Sequence, residues 1–109
     1  MNNIEFTISN RNELFRIGKV TPIELLSISA VLDLEKLNQV TEFITFALEH
    51  TEVKVAEAWL PVKVKGKEIY MPLGIENDIL SLNEIVAFVL KEVVEKAFMK
   101  SSESAQNTK

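Results

Sequence analysis

SLNEIVAFVLKEVVEKAFMK, residues 81–100, is the clearest helical stretch of the sequence, and the rest of the chain is predicted to fold around it. Ser81 predicts its start, because a serine can cap a helix and Glu84, three residues later, can complete a capping box. With an advance of about 100° per residue, the apolar side chains share one face and predict a core stripe. That stripe consists of Leu82, Val86, Val89, Leu90, Val93 and Ala97.

The opposite face of this helix is polar but carries large apolar residues. Its polar members are Glu84, Lys91, Glu92 and Glu95. Phe88 and Met99 fall inside this polar arc, and Phe98 lies at its edge. Two interpretations are open. Another layer of the same domain covers these side chains, or they anchor a protein partner, because Phe and Met are enriched in interface cores.

The composition bounds both the fold and the function. A chain of 109 residues suits a single domain with its own core. With 16 acidic and 12 basic residues the net charge is −4, which argues against general nucleic-acid binding. The absence of cysteine excludes disulfides and thiolate chemistry. The first ten residues lack the features of a signal peptide and no apolar run reaches membrane-spanning length, so a soluble, cytoplasmic protein is predicted.

Two short segments precede the next clear helix. Residues 4–9 alternate between apolar and polar side chains, which predicts a half-buried strand. Residues 13–20, ELFRIGKV, suit either a short helix ending at Gly18 or a second strand paired with the first. The sequence leaves both alternatives open.

Residues 21–24, TPIE, form a strong helix start. Thr21 is the predicted cap, Pro22 occupies the first helical position, and Glu24 completes a capping box. The helix that follows, ending near Leu32, has apolar residues on both flanks. It is therefore expected to be sandwiched between other elements.

Asp33 predicts the cap of a further helix that runs from Leu34 to about His50. Its core stripe is predicted to comprise Leu34, Leu37, Val40, Ile44, Ala47 and Leu48, with Phe43 at one edge. Phe46 projects from the opposite face, among acidic residues that include Glu42. Either the following segment covers Phe46, or this ring is a second anchor, suited to a partner that carries Lys or Arg around an apolar groove.

The segment after this helix has the character of a sheet. Alternating apolar residues on both sides of Gly66 predict a β-hairpin from Leu60 to Met71. Pro61 has no N–H for a ladder, so its strand is expected at a sheet edge or beginning after it. Lysines alternate over Lys63–Lys67, where protection of a sheet edge is favoured over contact with a phosphate backbone.

The sequence contains no catalytic motif. His50 is the only histidine, and its position at a helix end suits an interaction with the helix dipole better than catalysis or metal binding. No serine lies in a nucleophile motif, and the three glycines are too scattered for a phosphate loop. The prediction is a non-catalytic protein with no cofactor and no metal.

The order of several segments resembles that of a known family. Residues 15–19 (FRIGK) lead into residues 21–26 (TPIELL), an acidic helix follows, and residues 70–72 (YMP) precede the last helix and a polar, serine-rich end. This layout, over most of the chain, resembles the small tail assembly chaperones of long-tailed bacteriophages. The resemblance implies a helical, non-catalytic protein that coats the tape measure protein, keeps it soluble and recruits tail tube subunits. It also implies self-association and a longer, frameshifted form.

Together these observations predict a mainly α protein, α+β in class, with three principal helices, a small β-hairpin and a candidate N-terminal strand. Residues 1–100 are expected to form one domain, and residues 101–109 a disordered polar tail. The expected function is that of a tail assembly chaperone; the alternatives are a nucleic-acid-associated regulator that uses the Lys63–Lys67 hairpin, and a structural subunit of another oligomer. The predicted partner-binding residues are Phe46, Phe88, Phe98, Met99, Glu42 and Glu95.

Overall fold

The computed structural model of the chain describes residues 3–30, 36–66 and 72–96. Its elements, in chain order, are β1 (Ile4–Phe6), β2 (Phe15–Ile17), α1 (Pro22–Ala30), α2 (Leu37–Glu49), β3 (Thr51–Val55), β4 (Ala58–Pro61), a 3-10 helix (Pro72–Asn77) and α3 (Ile79–Val94). The strands form one antiparallel sheet in the order β1-β2-β3-β4. The predicted tail, residues 101–109, lies outside the described residues.

The sheet overturns the prediction of a mainly α protein with only a small hairpin. The described part of the chain is an α+β domain in which three helices accompany a four-stranded antiparallel sheet. The strands have three to five residues each, which is too short for a period-2 pattern to stand out in the sequence. Residues 15–17, which suited helix or strand equally, pair with β1 on one side and β3 on the other.

The β-hairpin lies earlier in the chain than predicted. Its strands are β3 and β4, and its turn is at Ala56 and Glu57. In the region of the predicted hairpin around Gly66, residues 62–66 carry no strand, and residues 67–71 lie outside the described residues. Ala56 has a φ of 55°, in the left-handed region that glycine normally occupies, so no glycine marks this turn. The expectation for Pro61 is confirmed, because β4 is an edge strand of the sheet.

One face of the sheet forms the base of the core. Phe6 is opposite Phe15 across the β1–β2 pair, and Phe15 is opposite Val53 across the β2–β3 pair, with all three side chains buried. Buried residues of α1, α2 and α3 join the same cluster, which places helices over this face. Burial of large apolar side chains supplies the main driving force for this arrangement.

Helix α1 begins as predicted but is packed differently. The Thr21 N–H donates to Glu24 Oε1 at 3.0 Å, and the Glu24 N–H donates to Thr21 Oγ1 at 3.2 Å, which is a complete capping box. Of its side chains only Ile28 is buried. The expectation that α1 is sandwiched between other elements is therefore wrong for the described structure, which leaves one flank of α1 uncovered.

Helix α3 starts earlier than predicted, and its buried face differs in part from the predicted stripe. Asp78 is the N-cap and accepts a hydrogen bond from the Ser81 N–H at 3.1 Å, so the prediction of Ser81 as the cap is wrong. Ser81 is instead buried within the first turn, where its hydroxyl donates to Asp78 Oδ2 at 2.7 Å. The fully buried residues of α3 are Ser81, Ile85, Val89 and Val93, so the predicted stripe is only partly correct.

The buried residues of helix α2 also differ in part from its predicted core stripe. The structure begins it at Leu37, and the predicted cap Asp33 and first residue Leu34 lie outside the described residues. Its buried side chains are those of Phe43, Ala47 and Leu48, while Ile44 of the predicted stripe is exposed. Among the described helices, none is long and apolar enough to cross a membrane.

Candidate partner-binding site

A groove of about 530 Å³ lies between α1 and α2. Its apolar lining is provided by Ile23 and Ile28 on α1 and by Phe46 on α2, and Lys65 reaches it from the segment after β4. The other lining residues are polar or charged: Glu24, Ser27, Glu42, Thr45, Glu49 and His50. The groove thus has a small apolar floor, formed by these three apolar side chains, and a larger polar and charged rim.

Phe46 forms the aromatic part of the floor. Its ring is half-buried and packs against Phe43 at a centroid distance of 6.2 Å and against His50 at 4.6 Å. Because Phe46 also contacts the main core, it is held in place while one side of the ring remains open to the groove. The Phe46 ring is therefore covered in part by its own domain and open in part to the groove.

A contact between His50 and Glu24 joins the two walls of the groove. His50 Nε2 lies 3.2 Å from Glu24 Oε2, which links the end of α2 to the first turn of α1. The backbone N–H of Thr21 donates to Glu24 and is the main reason why the pKa of this carboxyl lies below its usual value. The Thr21 hydroxyl, His50 and Lys65 lower it further, against the opposing effect of burial.

The acidic residues of α2 differ in their pairing. Glu49 forms an ion pair with Lys63, with Oε2 and Nζ 3.2 Å apart. Glu42 is exposed and makes no ion pair or hydrogen bond within the described ranges. Lys63 is thus paired with Glu49 on α2, Lys65 lines the groove together with Glu49, and Lys67 lies outside the described residues.

Exposed aliphatic side chains lie beside the groove and at the start of α3. Ile23 and Leu26 on α1 are 77% and 67% exposed, and Ile79 and Leu80 on α3 are 73% and 66% exposed. The exposure of the α1 residues was not predicted from the sequence, because α1 was expected to be sandwiched between other elements. The available signal was the i, i+3 spacing of Ile23 and Leu26, which puts both on one side of a helix.

The predicted partner-binding residues are not assembled into one site. Phe46 and Glu42 share the groove. Phe88 is half-buried and stacks on Phe6 within the domain, and Glu95 is exposed at the end of α3, away from the groove lining. Phe98 and Met99 lie outside the described residues. A partner role for any of the six residues remains a prediction.

The other face of the sheet carries a polar cluster. Arg16 Nε donates to Glu52 Oε1 at 2.6 Å, and its guanidinium carbon lies 4.2 Å from the centroid of the Trp59 ring. These three side chains satisfy one another, since the cation is both paired with a carboxylate and stacked on an aromatic ring. Their arrangement stabilises the sheet and leaves no cation of this cluster unpaired.

The described residues contain no group of three or more His, Cys, Asp or Glu side chains positioned to hold a metal ion. Comparisons of the chain with protein-family models, with curated proteins and with solved structures gave no match.

Proposed function

We propose that this chain is a non-catalytic assembly chaperone that binds an apolar segment of a protein client. The observation that carries the proposal is the pair of exposed aliphatic residues on α1, Ile23 and Leu26, beside the groove between α1 and α2. Single exposed apolar residues are common on soluble proteins, but adjacent ones next to an apolar cleft are typical of interaction sites. Full burial of each such side chain contributes about 1.5–3 kcal/mol.

A second exposed pair supports the same function. Ile79 and Leu80 lie in the first turn of α3, and α3 contacts α1 in the fold. A client that covers a long apolar surface needs several such points of contact, each too small to bind alone. Acidic residues around them, such as Glu42, help to keep the unoccupied chaperone in solution.

The resemblance to phage tail assembly chaperones gives this proposal its specific form. In that form the clients are tape measure and tail tube proteins, and the chain acts in the cytoplasm of the host cell. The four-stranded sheet departs from the helical protein that the resemblance implies. The proposal therefore depends on the exposed apolar surface and not on the helix content.

Co-expression with the product of a neighbouring long, helix-rich gene tests the proposal. The wild-type chain is expected to keep that client soluble and to purify with it. The double variant Ile23→Ser/Leu26→Ser is expected to fold but to leave the client in the pellet. The matched control is Leu60→Ser/Val94→Ser, which also removes two exposed aliphatic residues, both outside the groove lining.

Two results would contradict the proposal. One is that Ile23→Ser/Leu26→Ser retains the client as well as the wild type does. The other is that the purified chain alone forms a closed oligomer in which these residues are buried, which would favour a structural subunit. Retention of the chain on DNA at low salt, lost at moderate salt, would favour the nucleic-acid-associated regulator instead.

A further inference from the structure

We propose that the groove between α1 and α2 seats an amphipathic helix of the client that carries a Lys or Arg within its apolar face. This inference rests on the proposed client-binding function and adds the chemistry of the segment that is bound. It follows from three features of the groove: its apolar floor, the sign of its charged rim, and the fact that Glu42 has no charged partner among the residues that the structure describes.

The floor suits one face of a helix. The ring of Phe46 and the side chains of Ile23 and Ile28 line a space of about 530 Å³ between two helices. Leu26, three residues after Ile23 on α1, is exposed but is not a lining residue of the groove. Grooves of this kind bind amphipathic helices through side chains spaced three and four residues apart. An extended strand would instead need a free sheet edge, which is not part of this lining.

The rim favours a positive charge. Three carboxylates, those of Glu24, Glu42 and Glu49, lie around the groove with Lys65, and Lys63 is paired with Glu49, so a small excess of negative charge remains. Such an excess of one charge selects a partner of the opposite charge and opposes a partner of the same charge.

Glu42 is the carboxylate available to the client. Glu24 contacts His50 and accepts a hydrogen bond from the Thr21 N–H, and Glu49 is paired with Lys63, so both carboxylates already have partners within the domain. Glu42 has none within the described ranges. A client Lys or Arg can lay its aliphatic stem along the Phe46 ring and extend its charged end to Glu42, which satisfies both parts of the side chain.

Two labelled synthetic peptides test the inference. Both are amphipathic helices of about 15–20 residues, long enough to be helical in part when free, and they differ only at the centre of the apolar face. One carries Arg there and the other Glu. Fluorescence anisotropy measures the affinity of each peptide for the wild type, for Glu42→Lys and for Glu57→Lys. The last is the control for net charge, since Glu57 is exposed in the β3–β4 turn and outside the groove lining.

The wild type is expected to prefer the Arg peptide. Glu42→Lys should reduce that preference by up to about five-fold, the range for an exposed ion pair, while Glu57→Lys should preserve it. The effect of Glu42→Lys should shrink as salt is raised. Unfolding followed by the fluorescence of Trp59, which lies on the sheet and not in the groove, confirms that each variant is folded.

Three results would overturn the inference: equal affinity of the wild type for both peptides, an equal loss of preference in the two variants, or no binding of either peptide. These results are distinct from failure of the proposed function. If the co-expressed client stays soluble while the peptides show no preference, only the chemistry assigned to the groove is wrong. If the client is not bound at all, the proposed function falls as well.

Discussion

The ring of Phe88 on α3 stacks on the ring of Phe6 on β1, with centroids 4.0 Å apart and planes inclined by 16°. Phe6 also stacks on Phe15 of β2 at 5.7 Å. Three rings from distant parts of the chain therefore form one column between the sheet and the last helix. Phe88 therefore stabilises the fold through these ring contacts. The effect of a Phe88 substitution on stability has to be measured before its effect on partner binding is interpreted.

We expect Phe88→Ala to lower the free energy of unfolding by about 2 kcal/mol, less than the roughly 3–5 kcal/mol lost by a fully buried phenylalanine, because Phe88 is half-buried. Urea unfolding followed by circular dichroism measures the loss. Phe88→Leu is the control, since it keeps most of the apolar contact with Phe6 and should lose about half as much. A fully stable Phe88→Ala would show that the column contributes little.

The stability of the protein is expected to fall at acidic pH through Asp78. Hydrogen bonds from the hydroxyl and N–H of Ser81, and then from Arg11, hold the pKa of Asp78 at about 2, below the ordinary value of 3.8. Since the folded-state pKa is lowered, the contribution of Asp78 is fully present above the unfolded value. It is lost as pH falls from 3.8 towards about 2.

The variant Asp78→Asn isolates this contribution, because asparagine can still cap α3 but does not titrate in this range. Urea midpoints measured from about pH 6 to about pH 2 should decline less steeply for Asp78→Asn than for the wild type. Parallel curves would mean that other carboxylates account for the acid sensitivity.

The capping box of α1 is expected to contribute measurably to stability. Thr21→Ala removes the hydroxyl that accepts the Glu24 N–H, and should cost about 1 kcal/mol in thermal or urea unfolding. Ser27→Ala, on an exposed site of the same helix, is the control and should be neutral or slightly stabilising because alanine favours helix. Equal effects of the two changes would argue against a role for the box.

Ala56→Gly is expected to stabilise the protein by about 1 kcal/mol, because Ala56 has a positive φ that glycine adopts without a steric penalty. The same change two residues later, Ala58→Gly, lies within β4 and should destabilise by roughly 0.5–1 kcal/mol. Opposite signs for these neighbouring substitutions in a urea unfolding series would support the observed hairpin turn. A loss of stability in Ala56→Gly would place the turn elsewhere.

The features that sequence predicted best are those with local causes. The Thr21–Glu24 capping box involves residues three apart, so both partners are visible in one short window. The edge position of the strand with Pro61 follows from a missing N–H, which is a property of that residue alone. The turn at Ala56 could not be predicted in this way, because a positive φ at alanine is imposed by the pairing of β3 and β4.

The candidate site likewise has residues that could be identified from the sequence and an arrangement that could not be. Phe46 and Glu42 could be identified from the sequence because a large ring among acidic residues is anomalous on any helix. That the two of them face α1 across a groove, and that Ile23 and Leu26 remain uncovered, depends on how α1 docks against the other helices. Helical periodicity shows which residues share a face and says nothing about what, if anything, covers it.

The sequence by itself therefore determined the existence of the helices, the start of α1 and the non-basic character of the chain, because these depend on residue type and on spacings of a few positions. Only the tertiary structure decided the four-stranded sheet, the ion pair between Arg11 and Asp78, and the pairing of Phe88 with Phe6. Each of these joins residues far apart in the chain, such as Arg11 with Asp78 and β1 with β2 and α3. The free energy that stabilises these features comes from contacts that form only when folding brings distant residues together.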